Sequence, residues 1–295
     1  MFEAPARSTT TVFAQLSAEH HHPDGSSGWL QLQRPGVTPS SFIEGPVFDQ
    51  QGHLWFCDIP WGRIFRASPG GDIELAVQYD GEPNGLAFGP DGRLYIADFR
   101  NGLMALDPAT KQISTIMDTV AGERFKGIND LIFSSNGDLY FTDQGLTGLH
   151  DPSGRLFRLG KDGRLDCLLN NVPSPNGLVL APDERSVLLA VTRDNAVWRV
   201  PLLPEGGVFK VGVFVRLSGG GGPDGLALDA RGNLIVCHLG LGAVWVFNPQ
   251  GEPIRRIQSC KGLLTTNATF GPEQSPGLYI TESETGAVLR AEVDW

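Results

Sequence analysis

Asn84-Gly85-Leu86-Ala87-Phe88-Gly89-Pro90-Asp91-Gly92-Arg93-Leu94-Tyr95-Ile96-Ala97-Asp98 is the stretch on which the fold turns. A short apolar run, Leu86 to Phe88, meets Pro90-Asp91-Gly92, and a second run, Leu94 to Ala97, follows. Asp-Gly between apolar runs is a hairpin signal, because glycine supplies the positive φ that a tight turn requires. Two more strand-like runs, Gly102 to Leu106 and Gln112 to Met117, extend the unit to four strands.

The same unit recurs along the chain. Copies begin at Glu44-Gly45-Pro46, Asn84-Gly85-Leu86, Asn129-Asp130-Leu131, Asn176-Gly177-Leu178, Asp224-Gly225-Leu226 and Asn267-Ala268-Thr269. Their spacings are 40, 45, 47, 48 and 43 residues. Four short antiparallel strands in about 45 residues make a propeller blade. The expectation is therefore all-β: a six-bladed β-propeller, with residues 1–295 forming a single domain. The sixth copy runs out of chain after its third strand, Ala287 to Val293. Residues 1–43 form an N-terminal arm with two strand-like pieces, Thr11 to Leu16 and Trp29 to Gln33. One of them is expected to close the last blade, which also removes an exposed sheet edge.

Composition excludes several classes. The 295 residues carry a net charge of −10 with no basic run, a poor basis for nucleic-acid binding. No apolar stretch approaches the roughly 20 residues of a membrane span. The N-terminus lacks the pattern of a signal peptide, so a cytoplasmic location is expected. Cys57, Cys167, Cys237 and Cys260 lie far apart without a CxxC pair and read as reduced thiols. There is no GxSxG elbow and no P-loop, which argues against serine-hydrolase and phosphotransfer chemistry. Oligomeric state is not written in the sequence.

The first residue of each copy is polar: Glu44, Asn84, Asn129, Asn176, Asp224 and Asn267. Any one could be a simple turn residue. Six in six copies predict a polar ring around the central channel. A second ring falls four residues after each strand-two leucine or its equivalent: Asp58, Asp98, Asp143, Thr192, His238 and Glu282. A hairpin returns to its start, so both rings should face one mouth. Buried carboxylates bind a metal or find partners. Carboxylate and amide oxygens are hard donors suited to Ca²⁺, Mg²⁺ or Mn²⁺. The loop Gln144 to Gly154, with His150, is expected over the mouth. His20-His21-His22 reads as a solvated loop, and Gly219 to Gly222 reads equally as a flexible connection or a mouth loop.

Ile43-Glu44-Gly45-Pro46, Gly127-Ile128-Asn129-Asp130, Ser174-Pro175-Asn176-Gly177-Leu178 and Pro223-Asp224-Gly225-Leu226 resemble the SMP-30/gluconolactonase/LRE-like family. The resemblance runs from Glu44 to the C-terminus. It implies one divalent metal held on the axis by Glu44, Asn176 and Asp224, with Asn129 a fourth ligand or substrate contact. Ca²⁺ is the first expectation, with Mg²⁺, Mn²⁺, Zn²⁺ and Fe²⁺ as alternatives. It also implies hydrolysis of a small polar lactone, sugar-derived or a hydroxy-acid lactone, with Asp224 the catalytic base or nucleophile. Asn84, Asp98, Asn129, Asp143 and His238 are the expected substrate contacts. Some relatives carry an arginine two residues before the third-blade asparagine, where this chain has Gly127, so a sugar-acid substrate does not carry over directly. Two other readings stay open: a non-enzymatic propeller platform, and hydrolysis of other esters or organophosphates at the same metal.

Overall fold

The computed structural model describes residues 3–21, 27–36, 39–204 and 206–293. It is a six-bladed β-propeller. Blade one is Ile43–Phe48, Leu54–Asp58, Arg63–Ala67 and Ile73–Gln78, ordered from the axis outward. Blade two is Pro83–Phe88, Leu94–Asp98, Gly102–Leu106 and Ile113–Met117, and blade three Ile128–Phe133, Leu139–Asp143, Gly154–Leu159 and Leu165–Val172. Blade four is Pro175–Leu180, Ser186–Val191, Ala196–Pro201 and Gly212–Arg216. Blade five contains Gly222–Leu228, Leu234–Leu239, Ala243–Phe247 and Pro253–Gln258, and blade six Thr265–Phe270, Leu278–Glu282 and Ala287–Ala291. The inner strands contact one another all the way round, the sixth against the first included.

The arm closes the ring at two places. Thr11–Gln15 pairs antiparallel with Ala287–Ala291 and completes blade six. Ala6–Thr9 adds a fifth, parallel strand to the edge of blade five, with Ala6 opposite Arg255 and Thr9 opposite Gln258. The second strand-like piece is different: Gly28–Gln33 is a short helix. Ser27 caps it, its Oγ accepting from Leu30 N at 3.1 Å. Trp29 and Leu30 are buried, whereas Leu32 is exposed.

Burial explains the strand patterns. The second and third strands of a blade are packed on both faces, so they are nearly continuous apolar runs such as Leu54-Trp55-Phe56-Cys57. The outer strand has a wet face, and no residue of Ile73–Gln78 is fully buried. Six apolar clusters fill the six seams between blades. Trp55, Ile64, Leu86 and Ile96 fill one, and Phe56, Phe65, Tyr279 and Val288 another.

One irregularity sets up the axis. In every blade the pairing of strand one with strand two slips by a residue at the polar position, between Glu44 and Val47 in blade one and between Pro175 and Leu178 in blade four. The other four blades slip at equivalent places. A β-bulge leaves residues out of the ladder and re-aims a side chain. The first-ring residues therefore lie within strand one, at its bulge.

Candidate functional site

The bulges deliver Glu44, Asn84, Asn129, Asn176 and Asp224 to one cavity of about 670 Å³ at the mouth of the channel. All five are at least nine-tenths buried. The residue after each is glycine in four blades, because neighbouring inner strands approach backbone to backbone. A Cβ on Gly45 would sit 2.2 Å from Asn84 O, and one on Gly177 2.6 Å from Asp224 O. Blade three breaks this column with Asp130. Its buried carboxylate accepts from Leu131 N at 2.9 Å and faces Asn267 Nδ2 across the ring at 3.4 Å. Ring alignment held the signal for Asp130: one carboxylate in a column of glycines.

Residues at the ends of the second strands prop the ring peptides. Cys57 donates its thiol to Asn84 O at 2.8 Å. Thr142 Oγ1 donates to Asn176 O at 2.9 Å, and Thr281 Oγ1 to Asn267 O at 3.2 Å. Burial holds the Cys57 thiol well above its ordinary range, so it stays a donor. All four cysteines are free.

Three carboxylates share the axis without any ion pair among the described residues. Burial pushes Glu44 far above the carboxylate range, and Asp224 and Asp130 push it further. Gly45 N, donating at 2.7 Å, and Asn267 offset part of this. Burial raises Asp224 to about 7 against a hydrogen bond from Asn176 and the positive field of Arg34. Burial alone raises Asp130 to about 7. Asn129 Nδ2 donates to Gln144 Oε1 at 3.1 Å, and Gln144 Nε2 to Ser174 Oγ at 3.1 Å. That chain leaves the Asn129 carbonyl oxygen as its free acceptor. Ser174, at φ 65°, is held in the left-handed region beside Asn176.

Among the described residues no three His, Cys, Asp or Glu side chains form a metal-binding group by themselves. The axial donors are of another kind, carboxylate plus amide. Glu44 and Asp224 with the oxygens of Asn176 and Asn129 fit a hard cation, whose charge would answer the repulsion just described.

The second ring has other work. Asp58 accepts from Phe42 N at 2.7 Å, Asp98 from Glu82 N at 3.0 Å and Asp143 from Gly127 N at 2.9 Å. Each thus ties down the loop entering strand one. Arg63 further holds Asp58, Tyr79 holds Asp98 at 2.7 Å, and Arg155 Nε holds Asp143 at 2.7 Å. His238 lies between Trp245 Nε1 at 3.3 Å and Gly219 O at 3.0 Å. The Trp245 N–H donates to Nδ1, so Nε2 carries the proton toward Gly219. Asp98, Asp143 and His238 are thus turned into the blade seams, and the structure does not bring them to the cavity. Thr192 alone of this ring lines it.

Gln144 to His150 does overhang the mouth and supplies much of the wall. Leu32, Leu146 and Leu149 give it an exposed apolar rim. His20 is no solvated residue: its ring packs edge-on against Phe65. His21 Nδ1 meets Ser40 Oγ at 2.8 Å, while His22 lies outside the described residues. In the glycine run, a Cβ on Gly222 would sit 2.2 Å from Thr192 O, so close packing accounts for that glycine, whereas Gly219 has open space around it. Gly127 is pressed on Phe99, 2.4 Å from a would-be Cβ.

Known proteins share this arrangement of chain. Residues 42–284 match the SMP-30/Gluconolactonase/LRE-like region. A gluconolactonase of Zymomonas mobilis is 32% identical, covering 84% of this chain and 78% of that protein. A lactonase drp35 of Staphylococcus aureus (strain MW2) is also 32% identical, covering 78% and 72%. The calcium-binding protein regucalcin of Agrobacterium tumefaciens superposes with a TM-score of 0.74 at 25% identity, over 87% of this chain and 91% of that one.

Proposed function

The chain belongs to the SMP-30/gluconolactonase/LRE-like family, and from that premise we propose that it is a divalent-metal-dependent lactonase acting in the axial cavity. The observation that carries this reading is the gathering of Glu44, Asn129, Asn176 and Asp224 on one cavity, with buried carboxylates that have no ion pair among the described residues. Glu44, Asn176 and Asp224 would hold the ion, with Asn129 as fourth ligand or substrate contact. When bound, a divalent cation supplies Lewis-acid polarisation of an ester carbonyl and acidifies water. Ca²⁺ is the first choice, given hard oxygen donors and the calcium-binding relative.

The chain's own residues then have defined tasks. Asp224 takes the proton from the attacking water. With a cation bound, the Asp224 carboxyl would stay ionised and ready to accept that proton, its basicity lowered while the attacking water is made more acidic. Asn176 donates to Asp224 and fixes its rotamer. Water oxygen bonds to the lactone carbonyl carbon, the ring C–O bond breaks, the departing alkoxide takes back the proton held by Asp224, and the acid formed releases its own proton to solvent. The products are a hydroxyl and a carboxylate on one open chain. Asn84 and Asn129, with Gln144, Thr147 and Ser174 in the wall, offer hydrogen bonds to ring hydroxyls. These groups now carry the case for a small polar lactone, since Asp98, Asp143 and His238 are taken up in the seams.

The test is metal analysis of protein purified without chelator, followed by a panel of five- and six-membered lactones. One divalent ion per chain and hydrolysis abolished by chelation and restored by the ion are expected. Full activity in protein proven metal-free would sink the mechanism.

A further inference from the structure

Two guanidinium groups at the mouth have no ion-pair partner among the described residues and no task in the hydrolysis just described. Arg34 follows the short N-terminal helix, and Arg193 stands in the 3₁₀ turn Thr192–Asp194. Both line the cavity. None of the ion pairs among the described residues uses either side chain. Arg34 is half-buried and its guanidinium lies over the Phe42 ring, 5.5 Å from the centroid. Arg193 is exposed at the rim, its stem packed beside Gly148 and next to His150.

The cavity thus carries its cations, Arg34 and Arg193, apart from the axial carboxylates Glu44 and Asp224, on a chain of net charge −10. Burial weakens the hold of Arg34 on its proton, Asp224 opposes this, and the neighbouring Arg193 adds to it. Two like charges facing one cavity, one of them half-withdrawn from water, are costly unless an anion joins them. Hydroxyl groups would not need them, because Asn84, Gln144 and Ser174 already line the same space.

We infer that the lactone taken by this cavity bears a free carboxylate, which Arg34 and Arg193 clamp at the rim while the ring carbonyl reaches the axis. The inference rests on the lactonase reading above. A carboxylate suits a guanidinium because its two oxygens match the planar fork of N–H donors. The orientation follows from charge as well. With a divalent ion offset by Glu44 and Asp224, the axis would keep no net positive charge to draw the carboxylate inward, whereas the two guanidiniums would hold it outward. Arg34 comes from the N-terminal arm, so the same segment that closes the ring also contributes to specificity.

The experiment compares matched lactones with and without the extra carboxylate: γ-butyrolactone against its γ-carboxylate, and gluconolactone against glucarolactone. Values of kcat/KM are measured for the wild type, Arg34→Gln, Arg193→Gln and Arg34→Lys at low and moderate salt. In the wild type the carboxylated member of each pair should be preferred by about tenfold to a hundredfold, as expected for a charge-assisted hydrogen-bonded pair. The preference should collapse in both glutamine variants, survive in part in Arg34→Lys, and shrink as salt rises. Taking the ratio within each variant removes any general loss of activity or stability. If lactones are hydrolysed but the neutral member is equally good or better, the inference is overturned and the lactonase reading stands. The same holds if both glutamine variants keep the wild-type ratio. If no lactone of either kind is opened by metal-loaded protein, the lactonase reading fails, and this inference with it.

Discussion

Asp224 is the carboxylate on which the proposed chemistry depends most, and its amide variant separates charge from shape. Asp224→Asn keeps an oxygen donor but removes a charge and the base. Lactone hydrolysis is expected to fall by about 10²–10⁴-fold, the usual range for a lost general base. Glu44→Gln should instead weaken metal binding, with activity recovering as the ion is raised; stopped assays over a metal titration distinguish the two. Asp130 is the residue that a reading of single motifs passes over. It sits where four other blades have glycine, and its carboxylate is raised to about 7 by burial. In chelated protein at pH 8, Asp130→Asn should raise stability by on the order of 2 kcal/mol, because a buried charge disappears. Denaturant unfolding with and without chelator measures this; an unchanged or lowered midpoint would mean that Asp130 is well compensated. At this scale the first ring was legible because one polar type recurs at one place. The second ring was legible in position and not in direction. Asp98 and Asp143 end their strands at the predicted residues, but their side chains turn to the backbone N–H groups of Glu82 and Gly127. Strand ends alone do not say which neighbour a carboxylate will find.

Strands and turns were legible almost throughout, because apolar runs recur with one period and a glycine marks the turn after the inner strand in four blades, at Gly52, Gly92, Gly137 and Gly232. The failures are short elements that carry little pattern. Leu30-Gln31-Leu32-Gln33 alternates apolar and polar like a strand, yet it is helical and leaves Leu32 exposed. Ser27 as a cap was the available helix signal, and six residues are too few for a 3.6-residue period to compete with it. The bulges at the ring residues left no sequence mark beyond the glycine column. Ala6–Thr9 is largely exposed and has no apolar rhythm at all. The two arm strands should accordingly differ in worth. Deleting residues 1–9 removes an outer, largely exposed strand and should lower Tm by only a few degrees. Deleting residues 1–16 strips blade six of its fourth strand, of buried Ala14 and Leu16, and of the Phe13–Tyr279 contact at 4.9 Å. That loss of several kcal/mol should lower Tm by roughly 10 °C or more, or leave the chain insoluble. Scanning fluorimetry and gel filtration decide it, and equal effects of the two deletions would contradict this account of ring closure.

At the scale of the whole molecule, six seams of apolar packing force six strand ends to meet at one axis, and the axis concentrates charge that the seams cannot dissipate. This links metal, proton and fold. Glu44, Asp130 and Asp224 all hold their protons to higher pH in the folded chain than an unfolded carboxylate does. Between about pH 4, the ordinary carboxylate value, and about pH 7 the folded protein therefore binds more protons than the unfolded one, and stability falls as pH rises. His238 acts the other way. Burial lowers its pKa, so its contribution is present above about pH 6.5 and lost on acidification, but it is one group against three. Asp49, Asp91 and Asp138 are held below the ordinary value, and their effect is confined to pH below about 4. From pH 5 to 8 the axial carboxylates should dominate. In excess chelator the melting temperature is expected to fall steadily across that range. With saturating Ca²⁺ the fall should vanish or reverse, because the ion competes with protons for the same oxygens and binds only the folded ring. Melting curves at four or five pH values, with chelator and with ion, measure the difference. Parallel pH profiles in the two conditions would show that the axial carboxylates do not hold the ion, whatever the chain hydrolyses.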